Sequence, residues 1–275
     1  MNNLKAYKMD GLGNDFIIFD RRKKSFSLTR EEIIKISNRN NVGCDQVIFI
    51  DKDSNSDAFL KFYNSDGGEI SACGNGSRCA AYLIMKENKS QKVSLNTKSG
   101  ILKATIDNNN LTSINIGKPN FQWDMIPLLK EMNNRNLKIK INSNDGKETI
   151  GGFSLSVGNP HVIFFVEDFN QFNMNEIGPR IENHKYFPEK CNVTLASIEN
   201  KSRIKVKVWE RGAGLTKACG TAACATMVAG AELKLTDRCV DIKFPQGVLN
   251  IDWQVNSDIY MKGKVSEIKK IIINI

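Results

Sequence analysis

Ala72-Cys73-Gly74-Asn75-Gly76 and Ala218-Cys219-Gly220-Thr221-Ala222 share a tripeptide 146 residues apart (219 − 73 = 146), and the surrounding chain aligns at the same offset. Lys61-Phe62-Tyr63-Asn64 falls on Lys207-Val208-Trp209-Glu210, Gln46 falls on Asn192, and Gly117-Lys118 falls on Gly263-Lys264. With a slip of one residue, Gly13-Asn14 matches Gly158-Asn159 and Gly100-Ile101-Leu102 matches Gly247-Val248-Leu249. Self-similarity at a fixed offset decides the fold before any local reading does. It predicts two pseudo-symmetric halves, each presenting one cysteine. A pair of equivalent cysteines can approach one substrate from opposite sides, which is the geometry that inverts a carbon centre.

After Gly74-Asn75-Gly76 the chain runs Cys79-Ala80-Ala81-Tyr82-Leu83-Ile84-Met85, and its counterpart Thr221 to Ala229 is small and apolar throughout. Helices that are apolar on nearly every face must be buried on all sides. Strand-like segments surround each: Val47 to Ile50, Ala58 to Tyr63, Val93 to Thr97, Leu102 to Asp107 and Ser113 to Ile116 in the first half. In the second they are Val240 to Phe244, Val248 to Trp253 and Asp258 to Met261. The expected fold is α+β (mixed α/β), with a mixed sheet or barrel wrapped around one central helix, built twice. The repeat divides the chain into residues 1–118 and 119–264, with 265–275 returning to the first half. Leu4 to Asp20 reads as strands around the Gly11-Leu12-Gly13-Asn14-Asp15 turn. Thr29 to Asn40 reads as an amphipathic helix with a Ser/Thr start and early acids. Pro119 to Ile150 reads as a linker region.

With 275 residues, 41% hydrophobic and 25% charged, the composition is that of a soluble two-domain protein. No apolar run reaches membrane-spanning length and no signal peptide is visible, so a cytoplasmic protein without a membrane partner is expected. The net charge of +9 comes from scattered lysines without interleaved aromatics, which reads as a solvated surface and not as a nucleic-acid site. Seven cysteines, an odd count, argue against a disulfide framework. With no Cys-x-x-Cys and two histidines, no metal site is expected.

Each Ala-Cys-Gly stands where a turn gives way to a helix. The unpaired N–H groups and positive dipole end there favour a thiolate. The same N–H groups, on Gly74, Asn75, Gly220 and Thr221, form an anion site. The repeat register also pairs Asn14 with Asn159, Gln46 with Asn192, and Asn64 with Glu210, which Arg211 follows. Amides both donate and accept and so suit a zwitterionic amino acid, while Arg211 suits a second carboxylate. His161, after Asn159-Pro160, is placed to tune a nearby thiol. Cys79, Cys224 and Cys239 fit buried structural roles.

These residues resemble the diaminopimelate epimerase family nearly end to end. The likeness rests on Gly11 to Phe16, Tyr63 to Gly67, Glu69 to Arg78, Val157 to His161, Phe187-Pro188-Glu189 with Asn192-Val193, Glu210-Arg211-Gly212, and Ala218 to Thr221. The resemblance implies an isomerase that needs no pyridoxal phosphate or other cofactor. It would convert LL-2,6-diaminopimelate to the meso form in lysine and peptidoglycan precursor synthesis, as a homodimer. Cys219 would take the α-proton of the LL isomer and Cys73 would deliver one from the opposite face. Substrate contacts would be Asn14, Gln46, Asn64, Gly74, Asn75, Asn159, Asn192, Glu210, Arg211, Gly220 and Thr221, with His161 and Glu210 adjusting the thiols. Leu215, Ala222 and Cys44 depart from the family's usual residues, and none of them is a reacting group.

Two other readings keep the same sequence features. One is a cofactor-independent racemase of another amino acid, such as proline or histidine. The other is a non-catalytic amino-acid-binding or thiol redox protein, for which the Cys-x-x-Cys signature is absent.

Overall fold

The strands of the first half are β1 (Asn3–Gly11), β2 (Asn14–Asp20), β3 (Gln46–Asp51), β4 (Ala58–Asn64), β5 (Glu69–Ile70), β6 (Lys92–Thr97), β7 (Gly100–Ile106) and β8 (Thr112–Gly117). Two helices interrupt them, α1 (Arg30–Ser37) and α2 (Gly74–Asn88). The second half carries β9 (Ile139–Asn142), β10 (Glu148–Gly151), β11 (Phe153–Ser156), β12 (Pro160–Phe165), α3 (Met174–Glu182), β13 (Asn192–Asn200), β14 (Arg203–Glu210) and β15 (Gly214–Thr216). It continues through α4 (Gly220–Glu232), β16 (Cys239–Phe244), β17 (Gly247–Trp253) and β18 (Ile259–Gly263), and the chain ends with β19 (Lys269–Asn274). This computed structural model describes residues 3–255 and 257–274.

The chain divides into two units, Met1–Asn115 with Lys262–Ile275, and Ile116–Met261. In the first, β19 and β2 flank β1 as antiparallel neighbours, β2 runs parallel to β3, and β3 pairs antiparallel with β4. Both β5 and β6 then line the other side of β4, β6 in parallel, and β7 and β8 follow as a meander. From β11 to β17 the second unit repeats the pattern of β1 to β7. β11 is antiparallel to β12, β12 parallel to β13, β13 antiparallel to β14, and β15 and β16 share the far side of β14 before β17. The fold is α+β, with most of each unit a mixed sheet.

Each sheet closes around its central helix. In α2, residues 75–81 and 83–85 are buried, and α4 touches β11, β12, β13, β14, β16 and β17. Small side chains let the strands approach the helix. A Cβ on Gly76 would lie 2.8 Å from Ile48 Cδ1 and 3.2 Å from Phe62 Cε1, so only glycine fits there without displacing the core.

Two local expectations are corrected. The helix begun at Thr29 has the full capping box with Glu32 but stops at Ser37, and Asn38 turns extended, so residues 38–40 are not helical. Pro119 to Ile150 is not a linker. Ile126, Leu128, Leu137, Ile139 and Ile141 are buried in a core cluster with Phe164, Phe172, Ile177 and Val193, and β9 and β10 pair as a hairpin. Its apolar residues are spread among Asn and Lys without a period of two or 3.6, and only packing against α3 and the sheet organises them.

Candidate active site

In each unit the sheet brings the matched polar residues to one end. Asn14 begins β2, Gln46 begins β3 and Asn64 ends β4, with Gln46 and Asn64 directly opposite in register. Gln46 Nε2 donates to Asn64 Oδ1 at 3.0 Å. Gln46 Oε1 is buried and finds no partner among the described residues, so this pair presents an acceptor that a ligand donor would satisfy.

Cys73 is the N-cap of α2. Its sulfur accepts from the Gly76 N–H at 3.4 Å, and its thiol makes a long contact of 3.9 Å to Asn14 Oδ1. Asn75, in the first turn, is buried and accepts from Arg78 Nη2 at 2.8 Å, while Arg78 Nη1 donates to the Lys264 carbonyl at 3.1 Å. The helix entrance is thus braced from inside by a fully buried guanidinium. No sequence signal assigned Arg78 this part, because an arginine in a helix reads as a solvated face.

The second unit repeats the placement with different chemistry. Cys219 is the N-cap of α4, buried, with its sulfur 3.4 Å from Thr221 Oγ1. Burial pushes this thiol well above its ordinary pKa, and the Glu210 carboxylate beside it adds to the rise. Hydrogen bonds from the Thr221 hydroxyl and the Ala222 N–H oppose the shift without reversing it. The sequence expectation of a lowered pKa at a helix start is therefore corrected for Cys219, because desolvation of the charged form outweighs the helix end. The carboxylate is itself positioned, since Thr216 Oγ1 donates to Glu210 Oε1 at 2.5 Å.

His161 lies fully buried on β12, opposite Asn192 in register. Burial, with Arg211 nearby, drops its pKa to about 3, so the imidazole is neutral at physiological pH. Its Nε2 lies 2.9 Å from Asn159 Oδ1, while Nδ1 is buried with no partner among the described residues. A buried orphan N–H costs more than a buried orphan ring nitrogen, so the proton sits on Nε2 and donates to Asn159. Asn159 then directs its NH2 group to Thr221 Oγ1, 3.4 Å away.

Asn192 donates to the Pro160 carbonyl at 2.9 Å and accepts from the Arg211 N–H at 3.0 Å. It therefore holds the Arg211 turn. The Arg211 guanidinium donates to the Glu189 carbonyl at 2.9 Å. In the first unit, Asp45 Oδ2 accepts from Asn14 Nδ2 at 3.1 Å, a role the sequence reading did not assign. Among the described residues no group of acidic, histidine and cysteine side chains is arranged to hold a metal ion. Among the described residues no helix is long and apolar enough to cross a membrane.

The twice-built helix-in-sheet fold is one found in solved structures. A phenazine biosynthesis protein of the PhzF family from Bacillus anthracis superposes with a TM-score of 0.71 at 18% identity, covering 100% of both chains. A hydroxyproline epimerase from Agrobacterium vitis gives a TM-score of 0.63 at 12% identity, covering 98% of this chain and 93% of that one. The sequence is more particular than the fold. The diaminopimelate epimerase family model matches residues 6–122 and 153–268. A diaminopimelate epimerase from Pelagibacter ubique is 52% identical over 273 residues, covering 99% of this chain and 100% of that protein. Another from a Caulobacter species is 40% identical over 270 residues, covering 94% and 93%. The chain belongs to the diaminopimelate epimerase family, and it is an isomerase.

Proposed function

We propose that the chain interconverts LL- and meso-2,6-diaminopimelate by two-base proton transfer at Cα, with Cys219 and Cys73 as the acid–base pair. The observation that carries this reading is the matched placement of the two sulfurs. Each is the N-cap of its unit's buried helix, at the sheet end where that unit gathers its amides.

An amino-acid α-proton is a very weak acid, so a base alone is insufficient. The N–H groups of Gly74 and Asn75 and of Gly220 and Thr221 are the donors for the α-carboxylate, and they stabilise charge as it develops on removing the proton. For the LL isomer, the Cys219 thiolate takes the proton from Cα. The Cys73 S–H returns another from the opposite face, which leaves Cys219 as thiol and Cys73 as thiolate. The reverse reaction exchanges these roles. Glu210 beside Cys219 raises the sulfur's proton affinity and so makes its thiolate a stronger base. His161 acts through Asn159, whose NH2 it directs to Thr221. Arg211 and the Asn14, Gln46, Asn64, Asn159 and Asn192 amides form and support the polar lining for the rest of the substrate. A thiol pair that supplies both base and acid needs no pyridoxal phosphate.

The proposal extends to lysine and peptidoglycan precursor synthesis, a cytoplasmic location and a homodimer, as in the family resemblance, with neither nucleic acid nor membrane as partner. A racemase of proline or histidine would leave Arg211 without a second carboxylate to recognise. Incubation with LL-diaminopimelate in heavy water decides the matter. Deuterium at Cα together with meso product is expected. A chain that exchanges nothing is a binder, and one that prefers proline or histidine in an amino-acid panel belongs to the other racemases.

A further inference from the structure

Glu182, the last residue of α3, is a carboxylate only 6% exposed. Its Oε2 accepts from the Trp209 indole N–H at 2.7 Å and its Oε1 from the Gly212 N–H at 2.9 Å. These donors bracket Glu210 and Arg211. The turn between them places Gly212 at φ +75°, and the Ala213 N–H closes it by donating to the Glu210 carbonyl at 3.0 Å. The Arg211 N–H is taken by Asn192. The peptide that presents Glu210 and Arg211 is thus held from two sides, by Asn192 from β13 and by Glu182 from α3.

The position of α3 is set just as tightly. A Cβ on Gly178 would lie 2.4 Å from Trp209 Cδ2 and 2.5 Å from Cγ, so the helix backbone lies flat on the indole face. One turn later Glu182 reaches the indole edge. Burying a carboxylate is costly unless its oxygens are hydrogen-bonded, and both are used here on backbone or indole donors and not on a countercharge. A simple core contact would be served more cheaply by an apolar residue. The equivalent position in the first unit is Ile36 (182 − 146 = 36), which is buried in a hydrophobic cluster.

We infer that Glu182 is a positioning residue for the isomerase reaction: its carboxylate fixes the Trp209–Gly212 turn, and through it the aim of Arg211 at the substrate. This rests on the proposed role of Arg211. Glu210 depends on Glu182 less, because Thr216 holds its carboxylate separately.

The test is steady-state epimerisation of LL-diaminopimelate by wild type, Glu182→Gln, Trp209→Phe, the double variant and Arg211→Lys. Melting curves and hydrogen–deuterium exchange of the peptide spanning 208–216 accompany the kinetics. In Glu182→Gln the side-chain NH2 must oppose either the indole N–H or the Gly212 N–H. KM should rise roughly tenfold or more with a smaller fall in kcat, and the turn should exchange faster. Removing the opposing indole in the double variant lets the remaining carbonyl oxygen turn to Gly212, and KM should recover towards that of Trp209→Phe. A purely structural glutamate would lower the melting temperature and leave the KM of the folded enzyme unmoved. Glu182→Gln with KM within about twofold of wild type and unchanged turn exchange, or a double variant no better than Glu182→Gln, overturns the inference. If Glu182→Gln does not fold, Glu182→Asp keeps the charge but is too short to span both donors. It should show the same KM rise, and wild-type KM in it overturns the inference equally. Arg211→Lys with unchanged KM would instead sink the Arg211 reading, and wild type inactive on this substrate would sink the substrate.

Discussion

Asn14 donates its side-chain NH2 to the Asp45 carboxylate at 3.1 Å, and because a carboxylate only accepts, the Asn14 carbonyl oxygen is turned towards the Cys73 sulfur, 3.9 Å away. In the other unit the matched Asn159 is locked the opposite way, with oxygen to His161 and NH2 to Thr221. Two residues equivalent by the repeat therefore show their sites opposite ends of an amide.

Asp45→Asn removes that lock, since an asparagine can meet Asn14 from either end. A fall in kcat/KM of roughly tenfold is expected, the size of one misdirected buried hydrogen bond. Arg39→Gln is the control. It removes the ion pairs of Arg39 with Asp45 at 2.6 Å and with Asp15 at 2.7 Å but keeps the Asp45 carboxylate, and kcat/KM should stay close to wild type. Steady-state assays of the two variants in parallel check this, and equal losses in both would assign the effect to the Arg39 ion pairs.

Cys73→Ala and Cys219→Ala should fail differently. Each should lose epimerisation by about 10²-fold or more. Cys73→Ala keeps the base for the LL isomer and should wash deuterium slowly into LL-diaminopimelate with retention, while Cys219→Ala should do so with the meso isomer. Measuring exchange and inversion separately from each isomer tests the roles one at a time. Near-wild-type epimerisation by either variant removes that sulfur from the mechanism.

Acid should destabilise the fold through His161. Its folded pKa is depressed to about 3, below the ordinary histidine value, so between the two the unfolded chain binds a proton that the folded chain does not. Stability from this group is complete above the unfolded pKa of about 6.5 and is lost progressively as pH falls towards 3. Thermal melts from pH 7 to 4 should fall less steeply for His161→Gln than for wild type. Parallel curves would mean that the imidazole titrates normally.

Gly76→Ala should destabilise the first unit by about 1–3 kcal/mol, the usual cost of overpacking a closed core. The added methyl meets Ile48, Phe62 and Phe16 at 2.8–3.3 Å, and relief tilts the turn whose Gly76 N–H binds the Cys73 sulfur. Denaturant unfolding measures the loss. Gly146→Ala is an unsuitable control because its φ is +84°, but a Gly151→Ala change meets nothing within 4 Å and should cost far less.

The repeat and the uniformly apolar segments after Cys73 and Cys219 were enough to determine a twice-built fold with two buried helices, because offset and hydrophobic period are properties of the chain alone. The amide pairs were legible for the same reason. Glu182, Arg78 and Asp45 were not legible. Each is a charged side chain whose meaning lies in a partner distant in sequence: Gly212, Lys264 and Asn14 respectively. The core between Ile126 and Ile141 was hidden because its apolar residues follow no period and are gathered only by α3 and the sheet. The Cys219 thiol shows the division most plainly. Sequence placed it at a helix start, where the dipole favours a thiolate, whereas the tertiary structure buried it beside Glu210 and so raised its pKa. Desolvation and Coulomb repulsion depend on which atoms surround a group in space, and local sequence does not record that.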